Sequence, residues 1–278
     1  MDARAEELAA ALEEHRPRLV RVAYAILGRR GEAEDVVAET WFRLVEADRR
    51  EPVRDVLGSG PDTRVVVDLV THGTDGHGEA GPGSRGAASA TVGSRVLLLG
   101  PRKGVVYGGI EFAAPEDSEL LLVGDETAVP AIAAVLAQLP VDAAGAAFLE
   151  VPLGVDVQSL VHPPRVEVTW LPREGRPVGS LLHEAVLGHL GAGAAPVEVP
   201  EAEVEVGLWE TPTYSSSGDS LDEHTPSVGH DLADLYAWIA GESRVVTGLR
   251  RALVRDLGLD RRQVAFMGYW REGVSMGA

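Results

Sequence analysis

A chain of 278 residues with 45% hydrophobic content can bury a sizeable core, and it has room for two domains or for one domain with an appendage. The net charge of −18 excludes a nucleic-acid binder that works by bulk phosphate neutralisation, so DNA binding is not expected. The absence of cysteine excludes disulfides, thiolate metal sites and a cysteine nucleophile; with no signal peptide and no apolar run of spanning length, a cytoplasmic protein without a membrane span is expected.

From Met1 to about Val56 the chain is rich in Ala, Glu, Arg and Leu, with apolar residues at helical spacing: Leu8, Leu12, Leu19, Val22, Ile26, Val36, Val37, Trp41 and Leu44. Two or three amphipathic helices are expected, broken at Gly28 to Gly31, with Glu32, Glu34 and Asp35 at the start of the last, where its dipole favours negative charge. Composition alone makes this a small helical hairpin. Residues Arg18 to Gly28 and Ala33 to Val45 also resemble the start of region two of extracytoplasmic-function sigma factors. That resemblance implies a helix that docks on the core of RNA polymerase. The promoter-reading helix of that family has no counterpart, and neither does its DNA-recognising region four. The pattern stops after Val56, and Leu57 to Asp62 has the Gly/Pro composition of a linker.

Beyond it, Thr63 to Thr71 reads as a β-branched strand and Ser94 to Gly100 as a second. The loop between them, His72 to Ala88, is glycine-rich and ends in small residues that can start a helix, with Ser84 near its N-terminus. Such a loop can cradle a pyrophosphate or simply lie on the surface. His72 and His77 have no third ligand in view, and no metal site is assigned.

From Glu119 the chain alternates strands at 119–124, 146–151, 165–170, 235–240 and 263–269 with helices at 128–139, 178–190 and 242–257. That order predicts an α/β domain with a doubly wound parallel sheet. The stretch 191–230 breaks the rhythm, and Trp209 is the residue expected to anchor it. The junction at Gly124, Asp125, Glu126 and Thr127 passes from an apolar strand into helix-starting residues, a place where free N–H groups and a helix dipole can hold phosphate. It reads equally well as an N-capped core helix. Gly241, Glu242 and Ser243 repeat this arrangement at a later strand end. Glu150 lies at the end of the next strand, about where an acidic residue accepts hydrogen bonds from an adenine ribose; that favours NADH over NADPH, with Arg165 and Arg173 as the nearest bases in sequence.

Gly124-Asp-Glu-Thr-Ala-Val-Pro-Ala-Ile132, Leu149-Glu-Val-Pro152, Glu167-Val-Thr-Trp-Leu171, Trp238-Ile-Ala-Gly-Glu-Ser243 and Phe266-Met-Gly-Tyr-Trp-Arg-Glu-Gly273 resemble, in this order, the motifs of siderophore-interacting proteins, flavin-dependent ferric-siderophore reductases. The resemblance implies NAD(P)H at Gly124 to Thr127 and Gly241 to Ser243, the FAD pyrophosphate at Gly81, Gly83 and Ser84, Tyr269 or Trp270 at the flavin edge, and Arg271 attracting an anionic ferric siderophore. It assigns no catalytic side chain. The family has a tryptophan where this chain has Gly86, and most of its flavin barrel, expected before Thr63, has no counterpart. The expected organisation is therefore a sigma-like helical fragment at 1–56, a linker at 57–62, a partial barrel remnant at 63–118 and a nucleotide-binding domain at 119–278.

Overall fold

The computed structural model of the chain describes residues 53–59, 62–71, 82–94, 112–192, 199, 204, 209–211, 214–215 and 232–273. The expected helices before residue 53, the histidines at 72 and 77, Gly81 and the expected strand at 95–100 lie outside them. The chain divides into two compact units, one of Met1–Arg50, Thr71–Thr91 and Val274–Ala278, the other of Glu51–Val70 and Val92–Gly273.

In the larger unit β1 (Val53–Leu57) and β2 (Arg64–Val67) pair antiparallel, Leu57 opposite Arg64. Of residues 57–62, read from composition as a linker between modules, Leu57 ends β1, and Gly58, Ser59 and Asp62 are described between it and β2. Gly58 takes a φ of +77° there, which only a residue without a Cβ adopts cheaply. In the smaller unit the described element is α1 (Pro82–Ser89), a helix with no acidic residue in its first turn.

The core of the larger unit is a sheet of β3 (Glu119–Gly124), β4 (Ala144–Val151), β5 (Arg165–Pro172), β6 (Trp209–Thr211), β7 (Tyr214–Ser215), β8 (Leu235–Glu242) and β9 (Val264–Trp270), interleaved with α2 (Val129–Gln138), α3 (Ser180–His189) and α4 (Ser243–Arg250). Its order is β5-β4-β3-β8-β9-β6-β7. The first five in that order run parallel, and β6 and β7 close one edge antiparallel.

Side chains alternate across each strand, so the continuous apolar run of β3 supplies both faces. Leu120 and Leu122 pack with Ala128, Ile132 and Leu136 around α2, while Leu121 and Val123 pack with Val186 of α3 and Leu249 of α4. With α2 on one face and α3 and α4 on the other, the sheet is doubly wound. Chain order reverses at β3, which has its successor β4 on one side and β8 on the other. A crevice outside the carboxyl ends of β3 and β8 is where such sheets bind ligands.

The sheet is mixed rather than purely parallel, because part of the stretch read as a break returns to it. Trp209 opposes Met267 and Glu210 opposes Phe266 of β9. Buried Glu210 takes a two-pronged ion pair from Arg250 at the end of α4, 2.5 Å from Nε and 2.9 Å from Nη2. The crossover from β4 to β5 has a single 3₁₀ turn, Gly154–Asp156, in place of a helix. The helix expected over 242–257 ends as an α-helix at Arg250 and continues to Asp256 in a wider π-type turn.

Candidate functional site

Asp125 stands directly after β3 at the reversal point, and its carboxylate is 1% exposed. Oδ1 accepts from the Thr127 N–H at 2.9 Å and from the Thr127 hydroxyl at 2.5 Å. Oδ2 accepts from the Glu242 N–H at 2.7 Å and from the Trp270 indole Nε1–H at 2.8 Å. One carboxylate therefore joins the β3–α2 turn, the end of β8 and the end of β9. All its donors are neutral. Burial, with the charge of Glu126 next to it, raises its pKa from 3.8 to about 6, against the pull of the Thr127 and Trp270 hydrogen bonds.

The two glycines of these turns make the hub possible. A Cβ on Gly241, whose φ is +145°, would stand 2.6 Å from Asp125 Oδ2, and one on Gly124 would stand 2.4 Å from the Ala128 Cβ. At Gly124 the backbone passes too close to the start of α2 for any side chain, and at Gly241 the space is filled by the Asp125 carboxylate. Sequence reasoning assigned these glycines to a cofactor site; the structure shows what each leaves room for inside the protein.

Glu150, at the end of β4, is fully buried. Its Oε2 accepts from the Gly179 N–H at 2.7 Å and from Arg173 Nη1 at 3.3 Å, and its Oε1 accepts from the Leu181 N–H at 3.0 Å. It caps the start of α3 and carries no face open to a ribose. Arg173, which follows β5, folds back over the strand ends and grips Glu126 with both nitrogens, at 2.6 and 2.8 Å. Burial lowers its pKa, but the hydrogen bonds and charge of Glu126 outweigh it and hold the guanidinium charged. This joint between Glu126 and Glu150 was not foreseen; the sequence signal was Arg173 itself, the basic residue just past β5.

At the end of β8, Glu242 caps α4, its Oε2 accepting from the Arg244 N–H at 2.6 Å and the Val245 N–H at 3.0 Å. Ser243 is buried and donates its hydroxyl to the Trp270 carbonyl at 2.9 Å. A Cβ on Gly268 would stand 2.7 Å from that hydroxyl. Thus α3 and α4 begin on glutamate caps, whereas α2 begins at Ala128 with no side-chain cap. At the mouth of α2 the Ala128 and Val129 N–H groups donate to the Asp125 carbonyl at 2.9 and 3.2 Å, Asp125 Oδ1 holds the Thr127 N–H, and Pro130 has no N–H to offer.

Asp125, Thr127, Gly241, Glu242, Ser243 and Trp270 are thereby brought together, with Glu126 and Glu150 joined beside them through Arg173. Tyr269 and Trp270 are half-buried, and so is Arg271, which was expected to be exposed. Gly83 and Ser84 belong to the first turn of α1, in the smaller unit, where Ser84 is buried.

A doubly wound sheet with two strand-end turns meeting at its reversal point defines the class as an α/β domain with a mostly parallel sheet. The sequence model of the siderophore-interacting protein family matches residues 117–273, which carry that whole arrangement. The chain belongs to this family. The model of sigma-70 region 2 matches residues 11–55. An uncharacterized protein of Mycobacterium bovis is 32% identical over 84% of this chain and 69% of its own length. Ferric vibriobactin reductase ViuB of Vibrio cholerae is 27% identical over 71% of this chain and 57% of its own length. The crystal structure of a siderophore utilization protein from T. fusca is 31% identical, covers 76% of this chain and 61% of that one, and has a TM-score of 0.49. The chain thus spans about three fifths of the vibriobactin reductase and of the solved protein. Among the described residues no helix is long and apolar enough to cross a membrane.

Proposed function

We propose that this chain is a ferric-siderophore reductase-like protein of iron uptake that takes NADH or NADPH at the reversal point of its sheet and also binds FAD, with reduction impaired by the lost part of the flavin barrel. The observation that carries the reading is the meeting of the β3 and β8 strand-end turns within the stretch matched by the family. The name of the Vibrio relative adds the reductase activity.

The positive dipole end of α2 suits the nicotinamide cofactor's pyrophosphate. Negative charge around it is blunted, because Glu126 is paired with Arg173. Thr127 adds a half-buried hydroxyl at that mouth, and the Gly241 to Ser243 turn forms the opposite wall. The first turn of α1, with Gly83, Ser84 and no acidic residue, suits the flavin pyrophosphate in the same way, with Gly81 just before it. Tyr269 and Trp270 offer ring surfaces at the flavin edge, and Arg271 offers a positive charge to an anionic siderophore. When bound, the flavin supplies the passage from a hydride donor to single electrons for siderophore-held ferric iron, which is bound more weakly once ferrous. Glu150 acts on this site through the α3 cap and Arg173, and NADH remains the favoured cofactor because the Arg173 guanidinium is already neutralised by Glu126.

In this reading residues 63–118 are a remnant of the flavin barrel and 119–278 the nucleotide-binding part. The test is steady-state reduction of a ferric siderophore with NADH and then NADPH, before and after FAD is added. FAD-dependent reduction with a lower KM for NADH is expected; no reduction by protein that has bound FAD would refute it. The match of residues 11–55 to sigma-70 region 2 favours a second role, docking of the N-terminal segment on RNA polymerase core, and a pull-down that leaves no polymerase on the beads would exclude it.

A further inference from the structure

Trp270 is tied at two points. Its carbonyl accepts from Ser243, and its indole N–H donates to Asp125. An ionised carboxylate offers four acceptor positions, and here four donors from three chain segments fill them. The two on Oδ2, the Glu242 N–H and the indole, reach it from different strand ends. Gly241, where a Cβ would press on this carboxylate, leaves it the space.

We propose that Asp125 is a positioning residue, whose buried carboxylate holds the Trp270 indole in one orientation against the open ends of β3 and β8. Trp270 as a wall for a ring rests on the function proposed above; the bond and its consequences do not. A hydrogen bond to a charged acceptor is shorter and roughly twice as strong as one to a neutral acceptor, so the grip on the indole depends on the charge of Asp125.

The charged and titratable groups facing Asp125 are Glu126 on its own turn, Arg173 from beyond β5 with Glu150 behind it, and Glu242 at the end of β8. Arg173 is committed to Glu126 and Glu150, and the Glu242 carboxylate to the backbone of Arg244, Val245 and Glu272. None donates a charged hydrogen bond to Asp125, and burial together with the charge of Glu126 raises its pKa to about 6. The Thr127 hydroxyl is the one partner able to turn and accept. A proton on Oδ1 is therefore accommodated there, leaving the indole on a neutral, weaker acceptor.

The test uses the full chain without nucleotide, labelled with ¹⁵N in its tryptophan indoles, with Trp270→Phe identifying the Trp270 resonance and fully buried Trp238 as internal reference. In the wild type the Trp270 indole signal should titrate near pH 6 while that of Trp238 stays still. In Asp125→Asn the titration should vanish, and indole exchange with solvent at Trp270 should quicken by about tenfold, the change expected when a charged acceptor becomes neutral. A Trp270 signal that does not move between pH 4.5 and 7.5 in the wild type, or Trp270 exchange unchanged in Asp125→Asn, overturns the proposal. The wild-type titration decides alone if the variant does not fold. Because no nucleotide is present, failure to bind flavin would refute the proposed function and leave this result standing.

Discussion

Asp125 and Glu150 are two carboxylates buried at the same edge of the same sheet, and they are satisfied in different ways. Glu150 has a guanidinium and two backbone N–H groups. Asp125 has four neutral donors and no cation. Around Glu150 the charge is matched and the cluster acts as a joint, clamping the β3–α2 turn, the exit of β5 and the start of α3. Around Asp125 the charge is only hydrogen-bonded, so the cluster answers to pH. Burial alone does not tell a structural carboxylate from a responsive one; the presence of a counter-charge does.

The largest effect should come from removing that counter-charge. Arg173→Ala leaves Glu126 and Glu150 unpaired at a buried site and should cost about 3–5 kcal/mol in urea unfolding. A loss below about 1 kcal/mol would mean that the two clusters do not differ as described.

The pH prediction addresses the other member of the pair. The folded pKa of Asp125, about 6, lies above its ordinary 3.8, so the native state holds the proton more tightly than the unfolded chain. Its contribution to stability is therefore fully present below about pH 4 and is lost as pH rises to 6, by about 3 kcal/mol in all. The difference in stability between wild type and Asp125→Asn, measured from pH 4 to pH 7, should carry this slope; a difference independent of pH would contradict it.

Gly241→Ala sharpens the geometric side of the comparison. The added methyl meets the Asp125 carboxylate at 2.6 Å on a backbone with φ of +145°, and a loss of about 1–3 kcal/mol is expected in thermal unfolding. Glu150→Gln keeps the shape of the cap but loses an acceptor and the charge facing Arg173, and should cost about 1–3 kcal/mol. It should leave the ratio of KM values for NADH and NADPH unchanged, whereas a shifted ratio would place Glu150 against the cofactor. The smallest effect belongs to Arg262, whose pair with Asp260 is exposed. Arg262→Ala should leave the melting temperature where it is, because water screens such a pair and the Asp260 cap on the Arg262 N–H survives.

Much of the sheet was legible from sequence because its strands are apolar on both faces. The strand at 119–124 has the expected bounds, and the ends of the other parallel strands differ by one or two residues. Of β1, residues 53–56 were absorbed into the helical stretch before them and Leu57 into the linker, and β6 and β7 were hidden because such short pieces carry no periodicity. Which glycines and acids gather at the reversal point could be read from their place at strand ends. Which partner each would choose could not, since Arg173 reaches Glu126 across 47 positions and Trp270 reaches Asp125 across 145. For the same reason Glu150, placed by spacing beside a ribose, turns inward to cap α3.

The visible absorption spectrum of the purified chain, taken as isolated and again after FAD is added and excess removed, tests the central claim most directly. Visible flavin absorption bands that bleach on addition of NADH are expected, as a bound and reducible cofactor requires. Protein that stays colourless after FAD is supplied would contradict it.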